Sequence, residues 1–210
     1  VGPRSWSLDL MSGLPRQTAE MWQGSLEGAA DAGAPHVSVY DLQVEEGTAF
    51  ARWYDPGELP LPSFDAAADY YRSASHFLRK RGFEHYEISN FAQPGHHSRH
   101  NLAYWDNRPF YGFGLGAASF LDGLRVSRPP KMGPYERWVE SLEQRPLDAG
   151  PQPEDGERAA EEAKLDTVML SLRLARGLNL DAFSARFGTL SAARVEEAAR
   201  EHIKRGRAVV

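Results

Sequence analysis

The sequence predicts an α/β fold built on a parallel sheet, followed by a smaller helical part. Three observations carry this expectation. The first part of the chain alternates strand-like and helix-like patterns in the order strand, helix, strand, helix, strand. A stretch rich in proline, glycine and acids, RPLDAGPQPEDG at 145–156, then reads as a linker. Beyond it the apolar spacing is helical until the last residues.

Each element has its own signal. In SLDLMSGLP, Leu8 and Leu10 alternate with Asp9, so a strand there turns Asp9 away from the two leucines, and Gly13 and Pro15 end it. From Thr18 to about Ala32 the spacing of Met21, Trp22, Leu26 and Ala29 predicts a helix, closed by Gly33 and Pro35. HVSVYDLQV, rich in β-branched and aromatic residues, is the second strand. After a loop punctuated by Pro56, Gly57, Pro60 and Pro62, a stripe of Phe64, Ala68, Tyr71, Ser75 and Leu78 predicts a helix ending near Gly82. HYEIS is the third strand. With right-handed crossovers this order suits part of a barrel or of a doubly wound sheet. Past the linker, Leu165, Val168, Met169 and Leu172 form one helical stripe, and two more helices surround 183–187 and 195–203. Three helices and the beginning of a strand at Ala208–Val210 suit a winged-helix-like module. The domains expected are therefore 1–145 and 157–210. The first residue, Val1, and the abrupt last strand make the chain read as an internal piece.

Composition bounds the function. The 210 residues are 41% hydrophobic and 11% aromatic, and 29 acids against 24 bases give a net charge of -5. That balance argues against a general nucleic-acid binder. No apolar run reaches the roughly 18 residues of a membrane span, and no secretory pattern opens the chain, which reads as soluble. With no cysteine, this chain offers no disulfide and no thiolate for a metal or an iron–sulfur cluster.

Three stretches carry possible chemistry. Asp9 is a polar residue on an otherwise apolar strand, near the end where parallel folds gather ligands; it either lines a site, or caps the next helix or pairs with a nearby arginine. In YGFGLGAASF, glycines at 112, 114 and 116 leave one face of an extended segment bare, open to a ligand or to another backbone. The spacing is not that of a dinucleotide fingerprint. HHSRHNLAYW, 96–105, packs three histidines, two aromatics and an arginine together. Its HxxH spacing lacks the glutamate of a zinc hydrolase, and Pro94-Gly95 breaks any preceding helix. A porphyrin could take a histidine for iron, the Tyr104 and Trp105 rings for its face and Arg99 or Arg108 for its propionates. A polar surface loop anchored by its aromatics is the third alternative.

LDLMSGLPRQT, HVSVYDLQVEEGT, GFEHYEISNFAQPGHHSRHNLAYW and YGFGLGAASF, in this order and at these separations, resemble the oxygen-independent coproporphyrinogen III oxidase family of radical S-adenosylmethionine proteins. His100-Asn101-Leu102-Ala103-Tyr104-Trp105 matches the HNxxYW motif of its heme-chaperone branch. The likeness covers residues 5–143, and LRLARGLNLDAFSARFG extends it into the family's C-terminal domain.

The resemblance implies the C-terminal part of a partial (β/α) barrel followed by a helical domain. It implies S-adenosylmethionine above a 4Fe-4S cluster whose CxxxCxxC ligands would lie upstream of Val1. It places Asp9, Gln43 and Ala118 beside S-adenosylmethionine. It makes His100, Asn101, Tyr104 and Trp105 a heme motif carried on a loop, with His100 the candidate iron ligand. The implied function is heme binding and transfer to acceptor hemoproteins; the alternative is radical oxidative decarboxylation of coproporphyrinogen III propionates. The implied compartment is the bacterial cytoplasm, or otherwise a plastid or mitochondrion.

Overall fold

The computed structural model describes residues 5–121, 123–143 and 156–209, with the side chains of 124, 143 and 156–160 left aside. Most of the expected linker, 145–155, lies outside them. The chain divides into two compact units, Val1–Leu102 and Ala103–Val210.

The first unit is a four-stranded sheet with helices on one face. Strand β1 (Ser7–Ser12) leads through helix α1 (Ala19–Asp31) to strand β2 (His36–Asp41). A short helix α2 (Ala49–Trp53) and the longer α3 (Phe64–Lys80) precede strands β3 (Glu84–Glu87) and β4 (Asn90–Ala92). Side-chain oxygens of Thr18, Thr48 and Ser63 each accept an amide of the helix they open, which satisfies a donor that has no partner within the helix.

Strands β1 and β2 pair in parallel, as the pattern predicts. The third strand does not continue the parallel order. Beyond Glu87 the chain turns tightly and returns as β4, which inserts antiparallel between β2 and β3, giving the order β1-β2-β4-β3. Three residues, Asn90-Phe91-Ala92, are too short to show a period, so this strand was not separable from the segment after HYEIS.

The core lies between the sheet and helices α1 and α3. Trp22, Leu26, Val37, Val39, Tyr70, Ala74, Leu78, Phe83 and Phe91 form it, with Leu8, Leu10 and Phe77 packed at its edge. The α1 stripe loses Met21, which is exposed. In α3 the buried set is Tyr70, Ala74 and Leu78, while Phe64 is exposed. The stripe is thus rotated by about one residue from the one predicted, and both share Leu78. Polar anchors fix this phase: Trp22 Nε1 donates to the Tyr70 carbonyl at 2.9 Å, and the Tyr70 hydroxyl donates to the Gln17 carbonyl at 2.9 Å.

The second unit contains the hairpin β5 (Ala118–Leu121) and β6 (Leu124–Ser127), and helices α5 (Met132–Glu143), α6 (Gly156–Ser171), α7 (Leu180–Phe187) and α8 (Thr189–Lys204). The glycine segment before β5 is not a regular strand. Gly114 and Gly116 have φ of 90° and 65° and make a turn, whereas Gly112 lies directly behind the Ala118 carbonyl. Of the predicted stripe, Leu165 and Met169 on α6 and Leu172 just beyond it are exposed and Val168 is half-buried, while the buried leucines nearby are Leu170 and Leu174. Residues 208 and 209 form no strand. No helix among the described residues is long and apolar enough to cross a membrane.

Candidate functional site

Because side chains alternate across a strand, the face of the sheet opposite the core is fixed by Leu8, Leu10, Val37, Val39 and Phe91 pointing inward. The opposite face carries two polar rows in register. Ser7, His36, Ala92 and Glu84 form one; Asp9, Ser38, Asn90 and Glu87 form the other. A sheet face with this much polarity serves as a site only if something covers it, and the segment after β4 does so in part.

That segment is held by a small hydrogen-bond network. The Tyr86 hydroxyl sits 2.8 Å from His36 Nε2 and accepts the Ser98 amide at 3.2 Å. The His97 ring stacks on Tyr86 with centroids 4.3 Å apart, and its Nε2 lies 2.7 Å from Glu84 Oε2. His96 Nδ1 is 3.3 Å from the Ser5 hydroxyl. Ser98 then begins a helix: its hydroxyl accepts the Asn101 amide at 3.2 Å and its carbonyl accepts the Leu102 amide at 3.0 Å. So HNxxYW lies on helix α4 (Arg99–Trp105), not on a loop as the resemblance implied. Pro94 and Gly95 do prevent helix before 96, but Ser98 restarts it as an N-cap, a signal present in the sequence.

Between the polar face and this segment is an open cavity of about 380 Å³, lined among others by Ser7, Asp9, His36, Ser38, His97 and Asn101. Burial pushes the His36 imidazole below its ordinary value, with Asp9 opposing and His97 adding to the shift. Burial pushes the Tyr86 phenol up to about 12. Both shifts favour the uncharged ring, and of the two His36 lines the cavity with Asp9. His36 Nδ1, Glu87 Oε2 and Asn90 Oδ1 are buried without a hydrogen-bond partner, although the Asn90 amide donates to the other Glu87 oxygen.

Of the residues predicted from sequence, Asp9 is exposed on β1 and lines this cavity with Asn101. Gln43 is exposed beyond β2, its amide 3.4 Å from Asp41 Oδ2. Ala118 begins β5 in the second unit. His100 is exposed on α4. In the second unit Tyr104 meets Phe110 edge-on at 4.5 Å, and the Arg173 guanidinium lies 4.6 Å above Trp105. Arg176 pairs with Asp106 just beyond the motif. Among the described residues, no three histidines, aspartates or glutamates converge as metal ligands.

Sequence reasoning missed His36, Ser38 and Tyr86. The signal was available for two of them: in H-V-S-V-Y, polar His36 and Ser38 alternate with Val37 and Val39 as Asp9 alternates with its leucines.

Comparison with known proteins bears on this geometry. Residues 159–208 match the HemN C-terminal domain. The heme chaperone HemW of Synechocystis is 46% identical over 175 residues, 83% of this chain and 41% of that protein. The Bacillus subtilis heme chaperone HemW is 34% identical over 188 residues, 90% of this chain and 48% of that protein. The chain belongs to the HemW-related family of radical S-adenosylmethionine proteins. It spans under half the length of these two relatives. The family's fold agrees: Escherichia coli HemN, a coproporphyrinogen III oxidase described as a radical SAM enzyme, superposes with a TM-score of 0.70 at 18% identity, over 97% of this chain and 49% of that one.

The groups that a HemW-related protein implies fit this chain unequally. A polar cavity with an unpartnered buried nitrogen suits a nucleoside, and an exposed imidazole on a capped helix suits an axial metal contact. An iron–sulfur cluster held by thiolates does not fit, because the chain has no cysteine.

Proposed function

We propose that this chain is the part of a heme-chaperone-like protein that holds S-adenosylmethionine on its sheet face and heme on helix α4, for transfer to acceptor hemoproteins. The single observation that carries the reading is that Asn101 of HNxxYW and Asp9 of β1 face one cavity. Asp9 is the S-adenosylmethionine contact within it, with Gln43 and Ala118 as further contacts. His100 is the heme-iron ligand, since imidazole is a common axial ligand. Asn101, Tyr104 and Trp105 set the helix that presents it. The cysteines for a cluster are not in this chain, and a bound cluster would supply an electron to S-adenosylmethionine. The domains at work would be 1–145 and 157–210, in the bacterial cytoplasm or an organelle.

The oxidase reading, decarboxylation of coproporphyrinogen III propionates, is favoured by the fold shared with HemN. HNxxYW favours the chaperone. Full-length protein assayed for protoporphyrinogen formation and for heme binding separates them: heme retention without decarboxylation is expected. His100→Ala should alter the Soret band and weaken heme retention, while His96→Ala and His97→Ala change them little. An unaltered Soret band and affinity in the His100 variant would refute the ligand role.

A further inference from the structure

We propose that His36 is a ligand-contacting residue of the Asp9 cavity, donating from Nδ1 to a neutral acceptor on the nucleoside half of the bound ligand. The proposal rests on the reading of that cavity as a nucleoside site. Three observations carry it. His36 is only 6% exposed yet lines the cavity. Its Nδ1 has no hydrogen-bond partner, and a buried polar atom left so is costly enough that most are paired in native structures. Its other nitrogen is fixed. The Tyr86 hydroxyl accepts the Ser98 amide and lies 2.8 Å from His36 Nε2, and in the proposed arrangement it gives its own proton to that nitrogen. That places the imidazole proton on Nδ1 and makes this atom a donor.

The chemical class follows from the neighbours. Asp9 sits across the parallel β1–β2 pair from Ser38, on the same face as His36 and two residues along. A ligand carboxylate at Nδ1–H would meet the Asp9 carboxylate at close range. A hydroxyl oxygen or an aromatic ring nitrogen would not, and a hydroxyl could also donate to Asp9. The adenosyl half of S-adenosylmethionine offers both acceptors, whereas its amino-acid half offers only charged groups.

The test uses the full-length protein with its cluster. His36→Gln keeps an amide at the Nε2 end, toward Tyr86, but removes the Nδ1 donor; His36→Asn places an amide nitrogen near Nδ1. We expect His36→Gln to weaken S-adenosylmethionine binding roughly 5- to 10-fold, the worth of about one hydrogen bond, and His36→Asn to recover part of the loss. 5′-Methylthioadenosine, which lacks the amino-acid half, should show the same loss. A loss confined to S-adenosylmethionine would overturn the nucleoside assignment. Unchanged affinity in His36→Gln, with Asp9→Asn weakened, overturns the His36 contact alone. Unchanged affinity in both variants overturns the cavity reading itself. If His36→Gln fails to fold by circular dichroism, the ¹⁵N resonance of Nδ1 in the unaltered protein decides: it should report a protonated nitrogen that shifts on saturation with S-adenosylmethionine, and an unmoved resonance refutes the contact.

Discussion

Replacing Glu87 by glutamine should stabilise the protein. Glu87 is 1% exposed, on the polar face at the end of β3, paired in register with Asn90 of β4. One carboxylate oxygen accepts the Asn90 amide. The other, Oε2, and Asn90 Oδ1 are two buried acceptors with no donor between them. Glutamine puts an N–H₂ group where Oε2 stood. The two amides can then exchange hydrogen bonds reciprocally, Asn90 to Gln and Gln to Asn90, and the burial of a carboxylate is removed at constant volume. An unsatisfied buried acceptor costs about 1–3 kcal/mol, and a bond formed contributes about 0.5–1.5 kcal/mol net. A gain of about 1–3 kcal/mol is expected, since the same replacement addresses both acceptors and the terms overlap. For a chain of this size that is a rise in Tm of about 2–12 °C. Urea unfolding at neutral pH, followed by the fluorescence of buried Trp22, gives the free energy directly. A loss of more than about 1 kcal/mol, with an unchanged m-value, would refute the reasoning. It would mean that Oε2 has a donor that the amide cannot replace.

Two further outcomes follow from particular contacts. Gly112→Ala would drive a methyl group into the Ala118 carbonyl and dislodge the Gly112 amide from the Ser119 hydroxyl, 3.0 Å away; a loss of about 1–3 kcal/mol is expected, and an unchanged thermal transition would contradict it. Burial holds His36 and His85 below the ordinary histidine value, so the unfolded chain binds more protons than the native one just below pH 6.5, and stability is lost as pH falls through that window. Calorimetry at pH 7.5 and 5.5 should show a lower Tm at the acid value; a higher one would reverse the sign of the linkage.

The parts of the fold legible in the sequence are those whose period is long enough to count. The Leu8–Asp9–Leu10 alternation gives β1 and its polar face, and the spacing of Trp22, Leu26 and Ala29 gives α1 and its buried side. Strand β4 was illegible because three residues show no period, and its antiparallel insertion depends on pairing with His36, Val37 and Ser38 far away in sequence. The stripe of α3 was read one residue out of phase because Tyr70 and Tyr71 are chemically alike; only the Gln17 carbonyl and the Ile88 carbonyl, each taking one hydroxyl, distinguish inward from outward. For the site, Asp9 and HNxxYW stood out as residues. Tyr86 did not, because its role is to join His36 to Ser98, and such a junction exists only in three dimensions. For helix α4 the sequence signal is Ser98, an N-cap residue type that follows the helix-breaking Pro94-Gly95.

The sheet order β1-β2-β4-β3 has a consequence for the time course of synthesis. When β2 has emerged and paired with β1, its second edge has no neighbour until Ala92 is made, because the strand that fills it is the last of the four. For that interval Val37 and Val39 belong to a strand with open amides and carbonyls, a template for pairing with other chains. The chain carrying α2, α3 and β3 must then be closed into a loop before β4 arrives, a non-local step that slows folding. A ribosome stalled, or a chain cut, anywhere between Asp41 and Asn90 therefore leaves an adhesive edge at the centre of the sheet. Chains truncated before Ala92 should aggregate, whereas those that end just beyond it have every strand of this sheet in place.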